Sequence, residues 1–423
     1  MKTLVIGNGG REHALVWKLS ESPLVSELHC APGSPGTKAL ASSVPIGADR
    51  IDELLEFAVR EKIDLTVVGP EVPLAEGIVD LFQERGLLIY GPSRFAAQLE
   101  SSKVFSKEAM LRWGIPTAAS EVASSAEELR LAAQKVGLPL VLKADGLAAG
   151  KGVLIAKTEV ELQAGSEIFF SQRRFGSSGD RVLVEPFLEG EEVSYMALSD
   201  GQRVLPLVTS KDYKRIGDND TGPNTGGMGS HSPSGIMSSE QESEILETVV
   251  RPAVDGLAAE GHPLVGVVYA GLMLTSDGPQ TLEFNIRFGD PEAQVLLLRL
   301  ETDLAEVLRN GAAGDFGIDD LCFSDRAAAC IVLANDGYPD SPVKGDAISG
   351  LEQVGALDDV VVFHAGTAEE DDRVIAIGGR VLNVCALGDD LEDALAKAYA
   401  AADLISWEHK VMRRDIGRRV VGA

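Results

Sequence analysis

Over the first hundred residues, short apolar runs alternate with stretches of helical periodicity, and this feature most restricts the folds available. TLVIG (3–7), ELHCA (27–31), DLTVVG (64–69) and LLIYG (87–91) have the length of strands, whereas IDELLEFAVREK (51–62) spaces its apolar residues for one face of a helix. Strands separated by helices return in the same direction. The expected N-terminal unit is therefore a doubly wound parallel sheet.

The pattern then changes. After a helix-rich connection, SSKVFSKEAMLRWG (101–114), the runs PLVLKADGLAAGKGVLIA (139–156) and RVLVEPF (181–187) suggest strands, and EVSYMALSDG with QRVLPLV (192–208) suggests an antiparallel hairpin. The polar stretch 211–233 has little periodicity. From residue 325 a new series begins, with AAACIVLAN, VVFHAG, RVIAIGG and RVLNVCALG as strands and LEDALAKAYAAADLI as a helix. A small C-terminal α+β lobe is expected there. With 423 residues, 45% of them hydrophobic, the chain can bury the cores of two to four such lobes.

Charge and cysteine usage narrow the function classes. A net charge of −27 opposes a nucleic-acid surface, which needs clustered Lys and Arg to displace counterions. Cys30, Cys322, Cys330 and Cys385 have no pair at zinc or dithiol spacing, so a reducing cytosol is expected. No signal peptide or membrane span is expected either. Acidic runs such as EEDD (369–372) read as solvated surface.

Three segments carry candidate chemistry. In VIGNGGREHAL (5–15), Gly7, Gly9 and Gly10 lie between a strand and a helix start, where backbone N–H groups and the helix dipole favour an anion. Glu12 stands where a dinucleotide fingerprint needs Gly or Ala, and HCAPGSPG (29–36) lacks its acidic residue, which favours a phosphate-bearing substrate, with a purely structural tight turn as the alternative, over NAD or FAD. His13 reads as packed or capping.

LKADGLAAGKGVLIA (142–156) is not a P-loop. Three residues, where a P-loop has four, separate Gly146 from Gly150; Gly152 follows Lys151; and VLIA is β-like. Two strands joined by a glycine-rich loop, with Lys143 on the first and Lys151 in the loop, suit a cationic flap over a polyphosphate. Two charges about 4 Å apart interact by roughly 4 kcal/mol at an effective dielectric near 20, so each lysine matters to a triphosphate.

In QTLEFNIRFGDPEAQVLLLRL (280–300), alternation puts Leu282, Phe284 and Ile286 on one face and Glu283, Asn285 and Arg287 on the other. A carboxylate and an amide oxygen two residues apart suit Mg²⁺, and Arg287 suits an anionic substrate or a phosphoryl group in transfer. Asp290 and Pro291 read as N-cap and first residue of the following helix. In VLVEPFLEGEEVSYMAL (182–198), a linker could pair with an adenine edge and Glu192 with ribose hydroxyls. Pro186 has no N–H, so the donor must come from Phe187 or Leu188.

With NGGREHAL (8–15), VGPEVPLAEGIVD (68–80), LKADGLAAGKGV (142–153), DYKRIGDNDTGPNTGGMG (212–229) and EFNIRFGDPE (283–292), the chain resembles the phosphoribosylamine-glycine ligase (glycinamide ribonucleotide synthetase) family of the ATP-grasp superfamily. The resemblance implies an N-terminal substrate-binding domain at 1–102, an ATP-grasp domain at 103–310 with its flap-bearing lobe at about 115–190, and a C-terminal α+β domain at 311–423. It implies ATP as co-substrate, glycine and 5-phosphoribosylamine as substrates, Mg²⁺ or Mn²⁺ as cofactor, a cytoplasmic monomer or weak homodimer, and a place in purine biosynthesis.

By matching motif, the resemblance gives Lys103, Lys143 and Lys151 to phosphates; Glu185, Phe187 and Glu192 to the nucleoside; and Glu283 and Asn285 to the metal. Arg287 is implied to stabilise phosphoryl and acyl-phosphate charge. Gly9, Gly10, Asp212, Lys214, Pro223, Asn224, Thr225 and Asp290 are implied to meet the other substrates. Two alternatives stay open: an ATP-grasp ligase for another carboxylate, and a nucleotide-binding module without turnover.

Overall fold

The structure is a computed structural model that describes residues 1–147 and 152–421. Lys151, the expected flap lysine, lies outside the described residues. The apolar runs of the first hundred residues form a five-stranded parallel sheet ordered Ser42–Ser43, Glu27–Pro32, Lys2–Gly7, Leu65–Val68, Ile89–Tyr90. Leu4, Val5 and Ile6 are fully buried and face both ways from the central strand, which explains why that run is apolar throughout.

Two antiparallel four-stranded sheets follow. One is ordered Glu121–Ala123, Val182–Pro186, Leu140–Ala144, Val153–Ala156 and encloses its own small core around Leu140, Leu142, Val182 and Phe169. The other is ordered Val204–Pro206, Glu191–Asp200, Val265–Thr275, Gly278–Asn285. Its first pair is the expected hairpin, with Ala197 opposite Pro206. The helix Lys103–Arg112 begins between the two sheets, where the Ser102 hydroxyl accepts the Phe105 N–H at 3.1 Å. Asp145 ties that start to the small sheet by accepting from Ser102 Oγ and the Val104 N–H, both at 2.8 Å.

The polar stretch 211–233 is more ordered than its composition suggests. Arg215–Gly217 pairs with Thr221–Asn224 as a hairpin, and Lys211–Asp212 and Gly229–Ser232 join the sheet built from Ala327–Asn335, Arg380–Gly388 and Val360–His364. The C-terminal sheet thus takes strands from the middle of the chain. RVIAIGG is a strand only over Arg373–Ala376; its last residues turn into the next strand.

Two local expectations are corrected. A bulge opposite Gly271 and Leu272 leaves Leu282 unpaired, and Leu282 lines the cleft beside Glu283 instead of sharing the core face of Phe284 and Ile286. Asp290 does not cap the next helix, which runs Glu292–Arg299 with Pro291 as N-cap. Its carboxylate is taken by Gln294 Nε2 at 2.7 Å and by Arg380 Nη2 at 3.0 Å.

Candidate active site

The cleft between the two antiparallel sheets collects lysines and carboxylates from distant parts of the chain. Lys103 Nζ lies 2.6 Å from Glu283 Oε2. Glu185 is shared by Lys107 and Lys143, each 2.6 Å from one of its oxygens, and Lys143 also donates to the Leu282 carbonyl at 2.9 Å. All three side chains of the Glu185 group are nearly closed to solvent, at 3% for Lys107, 7% for Lys143 and 4% for Glu185. A carboxylate buried to that extent persists because two ammonium groups offset its desolvation.

The electrostatics follow from these contacts. Lys103 holds the Glu283 carboxyl far below the usual carboxylate range, outweighing burial, with Lys214 and Lys143 adding to the effect. Burial alone would push the Lys103 ammonium down, but Glu283 raises it. Burial likewise opposes ionisation of Glu185, and Lys143 and Lys107 reverse it. The Glu283 and Glu185 carboxylates are therefore ionised at neutral pH.

Glu283 and Asn285 end the same strand, and their donor set fits a hard divalent cation. Glu283 is ionised, and the Asn285 amide oxygen accepts from Arg287 Nη2 at 3.1 Å with one of its two lone pairs. Arg287 is itself held by Glu100 at 3.1 Å, Glu71 at 3.6 Å and the Phe288 carbonyl at 3.2 Å. Burial lowers the guanidinium's affinity for its proton, and Glu100 and Glu71 more than restore it. On the other side of the pair, burial wins and Glu100 is raised.

The expected nucleoside and substrate residues divide into those free to bind and those already engaged. The Phe187 N–H is taken by the Pro139 carbonyl at 3.0 Å, which leaves the Leu188 N–H as the linker donor without a partner among the described residues. Glu192 is paired with Lys214. Thr225 is locked by two bonds to the Lys214 carbonyl, at 2.7 Å from its N–H and 2.8 Å from its hydroxyl, while Pro223 and Asn224 are exposed on the hairpin.

Burial, followed by the nearby Glu292 carboxylate, raises Asp212 well above the usual range against Lys214 and Arg380. Asp212 Oδ1 has no hydrogen-bond donor among the described residues. A side chain at Gly227, where φ is +111°, would lie 2.6 Å from that oxygen.

The N-terminal glycine loop differs from the expected anion cradle. The Gly9 N–H already donates to Glu12 Oε2 at 2.6 Å, and Glu12 Oε1 accepts from Arg11 Nε at 2.5 Å. The chain's own carboxylate thus occupies the helix start. A Cβ at Gly7 would sit 2.3 Å from Glu12 Cγ, and one at Gly10 would sit 2.1 Å from Asn383 Nδ2. Gly10 serves close packing, and Gly9 faces Asp290 across 3.6 Å from its would-be Cβ. His13 is packed as expected: it accepts the His364 N–H at 2.8 Å and meets the Phe363 ring edge-on.

Sequence reasoning did not single out Lys107, Glu71, Glu100 or Arg380 as site residues. Lys107 had a signal, since it lies one helical turn after Lys103 and shares its face. Glu71 lies inside VGPEVPLAEGIVD. Glu100 and Arg380 had none, because their partners are 187 and 90 residues away.

Known proteins resemble this chain over its full length. Residues 1–100, 101–293 and 328–419 match the N domain, the ATP-grasp (A) domain and the C domain of phosphoribosylglycinamide synthetase. Phosphoribosylamine–glycine ligases of Agrobacterium fabrum and Escherichia coli are 45% and 46% identical, over 100% of this chain and 99% of each of theirs. The crystal structure of phosphoribosylamine–glycine ligase from Thermotoga maritima superposes with a TM-score of 0.85 at 34% identity, covering 98% of this chain and 100% of that one.

The biotin carboxylase domain of Hydrogenobacter thermophilus 2-oxoglutarate carboxylase, solved with MgADP, shares the fold at a TM-score of 0.76 and 18% identity, over 97% of this chain and 91% of that one. The full-length agreement of sequence, domain order and fold shows that the chain belongs to the phosphoribosylglycinamide synthetase family, with an ATP-grasp domain at its centre.

Proposed function

We infer that the chain is an ATP-dependent ligase that joins glycine to 5-phosphoribosylamine, giving glycinamide ribonucleotide, ADP and phosphate in purine biosynthesis. The observation that carries this is the convergence of Lys103, Lys107, Lys143, Glu185, Glu283, Asn285 and Arg287 on one cleft of a chain related to such ligases over its full length. The glycine carboxylate takes the γ-phosphoryl group of ATP to give glycyl phosphate. The amine then attacks the acyl carbon, phosphate leaves with the C–O bonding pair, and the amine loses a proton.

In this reading the lysines exchange partners. Lys103 and Lys143, paired with Glu283 and Glu185, turn to the triphosphate, which Lys151 also meets; Lys107 stays to balance Glu185. The Leu188 N–H and the Phe187 carbonyl meet the adenine edge, and Glu192 meets the ribose. Glu283 and Asn285 hold Mg²⁺ or Mn²⁺, which when bound neutralises phosphate charge. Arg287, fixed by Glu100 and Glu71, bears on the acyl phosphate. Asp212, Lys214, Thr225, Gly9 and Asp290 face glycine and the phosphoribosyl substrate, with Pro223 and Asn224 beside them; Gly10 serves through packing.

The same reading divides the chain at 1–102, 103–310 and 311–423 and makes it a cytoplasmic monomer or weak homodimer. None of the described helices is long and apolar enough to cross a membrane. The test is a coupled assay of ADP release with ATP, glycine and freshly made phosphoribosylamine. Release is expected only with all three; equal release with formate or bicarbonate in place of glycine would move the assignment to another carboxylate.

A further inference from the structure

We propose that Tyr338 and Arg380, both from the C-terminal lobe, are positioning residues for the phosphoribosylamine side of the site. They act by clamping Gly226 and tying it to Asp290. This rests on the ligase reading above.

The contacts are specific. The Gly226 N–H donates to Tyr338 Oη at 2.9 Å, and the Gly226 carbonyl accepts from Arg380 Nη1 at 2.6 Å, so two C-terminal side chains hold both polar groups of one residue. The same guanidinium donates to the Asp290 carbonyl at 2.7 Å and to Asp290 Oδ2 at 3.0 Å. Room for this is built into the backbone. A Cβ at Gly379 would come 2.1 Å from the Tyr338 ring, and one at Gly226 would come 3.1 Å from Arg380 Cζ.

Residues 225–227 make no regular secondary structure. Their geometry is set by the Lys214 carbonyl, by the Thr225 hydroxyl accepting the Gly227 N–H at 3.0 Å, and by this clamp. Without the clamp, Gly226 and Gly227 have the widest backbone freedom of any residue type.

Asp290 connects the clamp to one part of the site. Gly9 of the N-terminal glycine loop faces Asp290, while Lys103, Lys143 and Glu185 make their contacts elsewhere in the cleft. Loosening the clamp therefore displaces groups around the phosphoribosyl substrate and leaves the nucleotide lysines in place. Lysine at 380 keeps the charge but loses the planar fork that reaches Gly226 and Asp290 together.

The test compares Tyr338→Phe and Arg380→Lys with the wild-type enzyme by the ratio of KM for phosphoribosylamine to KM for ATP, alongside thermal melting. Tyr338→Phe removes one oxygen and no packing volume, so it reports even if Arg380→Lys folds poorly. The ratio is expected to rise about tenfold, the scale of one lost hydrogen bond in a binding site. A rise of less than about threefold in both variants, or a parallel rise in both KM values, overturns the proposal. Failure of the wild-type enzyme to make product from the three substrates would instead overturn the ligase reading.

Discussion

Lys103 Nζ and Glu283 Oε2 stand 2.6 Å apart across the cleft, joining the start of a helix to the end of a strand 180 residues later. The pair keeps the Glu283 carboxyl ionised and fixes the Lys103 ammonium, the two groups proposed for the metal and for phosphate. Replacing Glu283 with Gln removes the anion but little volume. Turnover is expected to fall roughly a hundredfold, about 3 kcal/mol in transition-state stabilisation. The Mg²⁺ concentration at half-maximal rate should also rise. The check is steady-state kinetics across a Mg²⁺ titration; an unchanged midpoint would remove Glu283 from the metal site.

Arg287 is expected to tolerate neither Ala nor Lys. Glu100 and Glu71 both face it, and Asn285 and the Phe288 carbonyl take further guanidinium donors, so an ammonium cannot satisfy the set. Both variants should lose about a hundredfold in kcat. Arg287→Ala should also lower Tm, because it leaves Glu100 buried beside Glu71 without its cation. Wild-type kcat in either variant would dismiss the phosphoryl role.

Asp212 should show function in conflict with stability. Burial and Glu292 raise its carboxyl well above the usual value, so above the unfolded pKa near 4 the unfolded chain releases a proton that the folded chain still holds. Stability contributed by the protonated form is present at low pH and declines as pH rises towards the folded pKa. Asp212→Asn is therefore expected to raise Tm at neutral pH by a few degrees while lowering activity at least tenfold. Differential scanning calorimetry and the coupled assay on the same sample decide this.

His13 should govern part of the acid sensitivity. Burial, with His364 adding to it, lowers His13 to about 3, and burial lowers His364 to about 4. Below pH 6.5 the unfolded chain takes up protons that the folded chain refuses, so stability is lost as pH falls from about 6.5 towards 3. His13→Asn should flatten the slope of unfolding free energy against pH over that interval. Urea titrations at pH 7, 6 and 5 measure it.

How much of this could be read in the chain differs from element to element. The parallel sheet followed from alternation of period and from apolar runs buried on both faces, as in Leu4 to Ile6. Strand alternation held for Glu283, Phe284 and Asn285, while Arg287 lies just past the strand end and meets Asn285 by a hydrogen bond. That alternation failed at Leu282, where a bulge depends on the partner strand. The cap assigned to Asp290 failed because Arg380, ninety residues away, claims the carboxylate.

The sequence by itself determined the order of lobes, the family and the chemical types gathered at the cleft, because periodicity and motif spacing are properties of contiguous residues. Only the tertiary structure decided which charge faces which. Glu12 fills the helix start expected to hold a substrate anion, Lys107 joins Lys143 on Glu185, and Tyr338 and Arg380 hold Gly226. Those pairings rest on the high cost of a buried charge or polar group without a partner, and the partner that removes that cost comes from a remote part of the chain.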